Sequence, residues 1–174
     1  MRKLKNVELN RLHLDEYKNK EKHPIVIVLD NLRSAHNVGS IFRTCDAFLI
    51  EKICLCGITP RPPKKEIRKT ALGATQSVEW RYFEDTQSCL AHLIENNYRI
   101  MSVEQADKAI SLQDVCIEKN TKIALVFGHE VNGVSQQCID MSHQVIEIPQ
   151  LGTKHSFNVS VSLGIVLWQF RITN

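Results

Sequence analysis

Two uninterrupted apolar runs, Ile25-Val26-Ile27-Val28-Leu29 and Ile123-Ala124-Leu125-Val126-Phe127, constrain this chain more than any other feature. A strand with one wet face alternates polar and apolar residues. A run with no polar member must be covered on both faces, as central strands of a parallel sheet are. The first run is followed by a helical pattern at 37–48, where Val38, Ile41, Phe42 and Cys45 fall at i, i+3, i+4 and i+7 on one face, with Asn37 as its cap. Further strands are expected at 53–56, 77–80, 98–103 and 145–149. Further helices are expected at 86–96 with Leu90, Leu93 and Ile94 inward, near 109–115, at 135–141 and at 157–170. Strands that alternate with helices argue for an α/β domain with a mostly parallel sheet flanked by helices. At 174 residues the chain suits one such domain. Residues 1–23 read as a polar, basic arm or short helix, and 24–174 as the domain.

Charge is uneven. Residues 1–87 hold 16 Lys and Arg against 11 Asp and Glu, whereas residues 88–174 hold 6 against 8. A polyanion is therefore expected to meet the first half. No run of apolar residues is long enough to span a bilayer, and the charged start has no apolar stretch behind it, so neither a membrane span nor a signal peptide is expected. The six cysteines form no CxxC, and Cys54 and Cys56 are read as pointing to opposite faces of a strand. Reduced, buried thiols in a cytoplasmic protein are expected. The seven histidines share no ligand spacing, so no metal site is expected.

In open α/β sheets ligands lie at the carboxyl ends of the strands, which points to loops 30–40, 57–76, 103–108, 128–135 and 149–157. The segment Gly128-His129-Glu130-Val131-Asn132-Gly133-Val134-Ser135 has the spacing of a P-loop, but Val134 stands where the phosphate-binding lysine is needed. No strand is followed by GxGxxG. Nucleoside triphosphatase and dinucleotide-binding functions are thereby disfavoured. The loop 148–160 is richer in Gly, Ser and Asn than a plain connection, although it could simply be a helix capped by Ser156. Arg43, one turn past Ser40, would by itself read as a solvated arginine.

Taken in order, these segments resemble the SpoU/TrmH branch of the SPOUT RNA methyltransferases. The first is Asn37-Val38-Gly39-Ser40-Ile41-Phe42-Arg43-Thr44-Cys45-Asp46-Ala47, similar to the family's N-x-G-x-x-x-R-T-x-D/E-A. The second is Phe127-Gly128-His129-Glu130-Val131-Asn132-Gly133, similar to FGxExxG after a strand. The third is Ile148-Pro149 followed by Ser156-Phe157-Asn158-Val159-Ser160, similar to IP…SLNVS, with Phe157 replacing the usual Leu. Lys69-Thr70-Ala71-Leu72-Gly73-Ala74 resembles the family's K-T/S-x-x-G-A segment. The resemblance covers roughly residues 24–170.

That resemblance implies a C-terminal deep trefoil knot, an exception to the rule that chains do not knot. It implies S-adenosylmethionine as cofactor, methyl transfer to a ribose 2′-hydroxyl of RNA, and a homodimer with its sites at the interface. It places Val103, Glu104, Phe127, Gly128, Ile148, Leu151, Ser156 and Phe157 at the cofactor, and Asn37, Arg43, Glu130, Ser156 and Asn158 in the catalytic set. The family's motif arginine is cast as general base. A guanidinium with a pKa above about 12 does not deprotonate, so Arg43 fits better as a phosphate ligand and alkoxide stabiliser while phosphate or water takes the proton. Glu130 is expected to anchor Arg43 or the loop. The basic cluster Arg61, Lys64, Lys65, Arg68 and Lys69, with Arg33, is expected to bind RNA, single-stranded or looped, with tRNA favoured over rRNA. The last helix, apolar nearly all round, fits burial on two sides, the second by a partner subunit. Three rivals remain: an RNA-binding protein that kept this fold without catalysis, a small-molecule transferase, and a phosphate-binding domain.

Overall fold

The two apolar runs lie side by side in parallel, Ile25 opposite Ile123 and Leu29 opposite Phe127. They are the centre of a seven-stranded sheet in a computed structural model that describes the backbone of residues 1–173 and the side chains of residues 1–170. In chain order the elements are α1 (Leu14–Asn19), β1 (His23–Asp30), α2 (Ala35–Ala47), β2 (Ile50–Cys56), α3 (Lys65–Ala71), α4 (Ala74–Ser77), β3 (Glu79–Phe83), α5 (Thr86–Glu95), β4 (Arg99–Val103), β5 (Ile110–Ser111), β6 (Ile123–Phe127), α6 (Gln136–Asp140), β7 (Gln144–Glu147) and α7 (Val159–Thr173). The spatial order is β3-β2-β1-β6-β4-β7-β5 and every pairing is parallel. The expected α/β architecture is the observed one. Asn174, the last residue of the expected domain, lies outside the described residues.

The strand period of two divides the core. Ile27, Leu29, Ile53 and Leu55 face α2, α3 and α7 with Phe42, Ile67 and Leu163, while Val26, Val28, Cys54 and Cys56 face α5 and α6 with Leu90 and Cys138. The expectation that Cys54 and Cys56 point to opposite faces is therefore corrected: residues two apart on a strand share a face. Both lie against Cys89 of α5, whose thiol is pushed well above its ordinary range by the hydrogen bonds it donates to Cys54 and Cys56 and by burial. Five of the six cysteines are buried and all six are free thiols; Cys116 is exposed.

Other local expectations shift for identifiable reasons. Ser34, not Asn37, caps α2, its hydroxyl accepting the Asn37 N–H at 3.2 Å. The basic stretch read as loop forms α3. The helix expected near 109–115 is instead β5, paired in parallel with β7, followed by a single 3-10 turn. Ile94 points outward, 39% exposed, since Leu90 and Leu93 already fill the α5 contact. The last helix begins at Val159, after Phe157 and Ser156. At its start Asn158 Oδ1 accepts the Ser160 N–H at 3.0 Å, so Asn158 rather than Ser156 serves the helix end. Ahead of β1, Tyr17 of α1 is 5% exposed and packs into the main core, which ties the basic arm to the domain.

One close approach positions the functional face. A Cβ on Gly39 of α2 would lie 2.0 Å from Thr70 Oγ1 and 2.4 Å from the Ile67 carbonyl oxygen of α3. Only glycine lets the two helix backbones meet there. Thr70 Oγ1 donates to the His36 carbonyl at 2.9 Å and locks the crossing. The cationic α3 is thus held against the helix that carries Asn37 and Arg43.

Candidate active site

A cleft of about 530 Å³ opens at the carboxyl ends of β4, β6 and β7. Its walls are the end of β4 at Val103, Glu104 and Gln105, the turn after β6, and the segment that leads into α7. Glu104 ties two walls together. Its Oε2 accepts the Val134 N–H and its Oε1 the Gln105 N–H, both at 2.8 Å. Gln105 reaches the third wall by donating from Nε2 to the His155 carbonyl at 2.7 Å.

The turn after β6 folds back on itself. His129 and Gly133 exchange backbone hydrogen bonds at 2.9 and 2.8 Å, and His129 Nδ1 accepts the N–H groups of Val131 and Asn132 at 3.0 and 3.2 Å. A Cβ on Gly128 would sit 2.1 Å from the Gly133 carbonyl carbon, and one on Gly133 would sit 2.2 Å from Glu104 Oε2. Close backbone approach demands glycine at 128, a left-handed φ of 68° favours it at 133, and Gly128 lines the cleft without a side chain. Beneath the turn, buried Asp30 at the end of β1 accepts the Ser135 N–H at 2.9 Å and the Thr86 hydroxyl at 2.6 Å.

Glu130 joins this cleft to the start of α2. Its carboxylate accepts the backbone N–H groups of Arg33 and Ser34, each at 2.9 Å, and Asn37 Nδ2 at 3.1 Å. Burial by itself would raise the carboxyl, but these donors outweigh it and hold Glu130 below the ordinary glutamate range. Asn37 continues the chain, its Oδ1 accepting Asn158 Nδ2 at 3.1 Å. Three segments far apart in sequence therefore converge through Glu130, Asn37 and Asn158. Of the two tasks expected of Glu130, the structure shows the loop anchor. Arg43 lies further along α2, exposed, and its side chain makes no hydrogen bond or ion pair among the described residues.

Of the residues expected at a cofactor, Val103, Glu104, Phe127, Gly128, Ile148, Ser156 and Phe157 line the cleft, whereas Leu151 stands fully exposed outside it. Glu130, Ser156 and Asn158 of the expected catalytic set also line it. Lys65, Arg68 and Lys69 lie exposed on α3, Arg61 and Lys64 precede it, and Arg33 is exposed in the loop before α2. Sequence reasoning missed Gln105, His129 and Asp30. For Asp30 a signal existed: a carboxylate ending an apolar run is buried, and its partners must be donors. Gln105 and His129 act through backbone groups that no side-chain pattern reveals.

The SpoU rRNA Methylase family matches residues 24–168. A tRNA (guanosine(18)-2′-O)-methyltransferase of Thermus thermophilus is 26% identical over 162 residues, which cover 93% of this chain and 81% of the relative. A 23S rRNA (guanosine-2′-O-)-methyltransferase, RlmB, of Haemophilus influenzae is 31% identical over 167 residues, covering 93% of this chain and 65% of the relative. The solved AdoMet-bound rRNA methyltransferase from Sinorhizobium meliloti superimposes with a TM-score of 0.81 at 21% identity, over 90% of this chain and 59% of that one. With all seven strands but the first residue of β1, and most of the last helix, inside the matched span, the chain belongs to the SpoU rRNA Methylase family.

Proposed function

We propose that this protein is an S-adenosylmethionine-dependent RNA methyltransferase that modifies a ribose 2′-hydroxyl. The observation that carries this is the Glu130–Asn37–Asn158 chain. It fixes the loop and helix that bear Arg33 and Arg43 against the cleft, so that a cofactor site and a polyanion site share one edge. The cleft suits the cofactor. Its volume is ordinary for a small-molecule site, Val103, Phe127, Ile148 and Phe157 offer apolar contact, and the bare Gly128 backbone admits a close ligand. Bound there, S-adenosylmethionine supplies an electrophilic sulfonium methyl. Arg43 has free donors for an RNA phosphate and for the alkoxide that develops on the ribose oxygen, with phosphate or water as proton acceptor. Asn37 holds Asn158 in place, and Ser156 beside it orients ribose or cofactor.

Transfer RNA is the preferred substrate class. The tRNA-modifying relative from Thermus thermophilus, matched over 93% of this chain, supports this reading. The trefoil knot that the family implies lies in the turn after β6 and the 148–158 segment. The working form is a homodimer. Phe157, Val161 and Trp168 remain 41%, 49% and 60% exposed along the start and one side of α7, an apolar face that a second copy would cover. Among the described residues no helix is long and apolar enough to cross a membrane and no cluster of His, Cys, Asp and Glu could hold a metal. The reduced thiols fit the cytoplasm.

Calorimetric titration with S-adenosylmethionine and S-adenosylhomocysteine tests this first, followed by tritiated methyl transfer to total tRNA and to rRNA. Micromolar binding with label in a ribose is expected. A folded dimer that binds neither cofactor form would instead be an RNA-binding protein that kept the fold without the chemistry.

A further inference from the structure

A second groove, of about 670 Å³, lies on the same carboxyl edge of the sheet but at its other end, between the 57–64 turn and edge strand β3. It shares no lining residue with the first cleft. Trp80 and Tyr82, two residues apart on β3, share one side of the strand, and both are half-buried. The Arg61 guanidinium lies 4.0 Å from the Tyr82 ring centroid. Tyr82 is held in place by donating its hydroxyl proton to the Gly57 carbonyl at 3.2 Å. Lys64 stands on the rim, and so does Ile58, an apolar side chain left 65% exposed. The turn beneath is braced by two hydrogen bonds: buried Thr59 donates to the Leu29 carbonyl, and Asn31 Oδ1 accepts the Ile58 N–H, each at 3.1 Å.

Two aromatic rings, two cations and an apolar ledge thus converge at one place. An apolar peptide would use Ile58 and Trp80 but bring nothing to Arg61 and Lys64. A free phosphate would use the cations and leave the rings idle. An unpaired nucleotide uses every group, since each base has a π-face and each linkage a negative charge.

We propose that this groove is a stacking subsite for an unpaired base of the substrate RNA. Arg61, Trp80 and Tyr82 form the stack and Lys64 meets the adjoining phosphate. The proposal rests on the RNA-methylation reading and adds where a flanking nucleotide binds. The groove is three strands from β6, roughly 14 Å at ordinary strand spacing, so one short single-stranded segment can reach from it past α3 to the cleft.

The test is fluorescence anisotropy with a labelled single-stranded RNA oligonucleotide and its abasic counterpart, at one ionic strength and without cofactor. The full chain is compared with Trp80→Leu and Arg61→Lys. Arg61→Lys alters only an exposed side chain and keeps the charge, but loses the planar group that stacks. The intact protein should hold the base-bearing strand about tenfold more tightly than the abasic one. Both variants should lose most of that preference, and Trp80→Leu should bind the abasic strand unchanged. Equal binding of the two strands by the intact protein overturns the proposal, and so does a preference that survives in both variants. Equal binding means that the groove contacts phosphate alone or serves a protein side chain instead. Cofactor titration is separate: a protein that fails to bind S-adenosylmethionine yet prefers the base-bearing strand loses the methylation reading and keeps the stacking groove.

Discussion

Asn37 and Glu130 are 93 residues apart in sequence and 3.1 Å apart in space, with Asn37 Nδ2 donating to Glu130 Oε1. The same asparagine accepts from Asn158, so its amide is used at both ends and its orientation is determined. Glu130 spends its remaining acceptor capacity on two backbone N–H groups. The result is a polar clasp between the cleft and the helix that bears Arg43.

Glu130→Gln tests the clasp. A glutamine amide has one acceptor oxygen for three donors, and its own N–H₂ group would face N–H groups. A loss of about 1–2 kcal/mol of unfolding free energy in urea is expected, with methyl transfer reduced more than tenfold.

The clasp also has a pH signature. The Glu130 carboxyl is lower in the folded chain than its ordinary value of about 4.3. Its contribution is therefore complete above that ordinary value and fades as pH falls through the lower, folded one. The stability difference between the natural chain and Glu130→Gln should be constant from neutral pH to about 5 and shrink below about 4. A difference that grew on acidification would contradict the assignment.

Gly39→Ala should injure RNA binding through packing. The added methyl meets the Ile67 carbonyl as well as the Thr70 hydroxyl, so trimming Thr70 cannot make room. A cost of about 1–3 kcal/mol is expected from thermal unfolding, even though alanine favours a helix. Displacement of α3 should weaken RNA affinity while calorimetric binding of S-adenosylmethionine stays the same.

Arg43→Ala should separate chemistry from structure. The side chain is exposed and makes no hydrogen bond or ion pair among the described residues, so unfolding should shift by less than about 0.5 kcal/mol. Methyl transfer should fall about a hundredfold or more if its donors stabilise the alkoxide. Full activity would remove Arg43 from the site.

Lys64→Glu combined with Lys65→Glu reverses charge at the start of α3, where both side chains are exposed. RNA affinity should drop, and the slope of its logarithm against the logarithm of salt concentration should flatten by about one to two. An unchanged slope would put the RNA elsewhere.

The central architecture was legible in the sequence because burial on both faces leaves an unmistakable mark: nothing polar interrupts residues 25–29 or 123–127. The cleft was legible through motifs, since Gly128, Glu130, Ser156 and Asn158 are spaced as a known family spaces them. Edge elements were not. Ile110–Ser111 becomes a strand only because β7 offers it a free edge, and a two-residue pairing has no period to read. The basic stretch at 65–71 looked like loop, and packing of Ile67 and Ala71 under α2 makes it helix. Leu151 matched the pattern but faces solvent, because a position in a motif does not determine which way a loop residue points. Composition and spacing determined the sheet and the family, and singled out the residues proposed to carry the chemistry. Only the tertiary structure decided that Glu130 holds a loop rather than Arg43, and that Gly39 admits a cationic helix. The same is true of Arg61, which lies over a tyrosine in a groove of its own. Each is a contact between segments distant along the chain, formed by packing that no local pattern encodes.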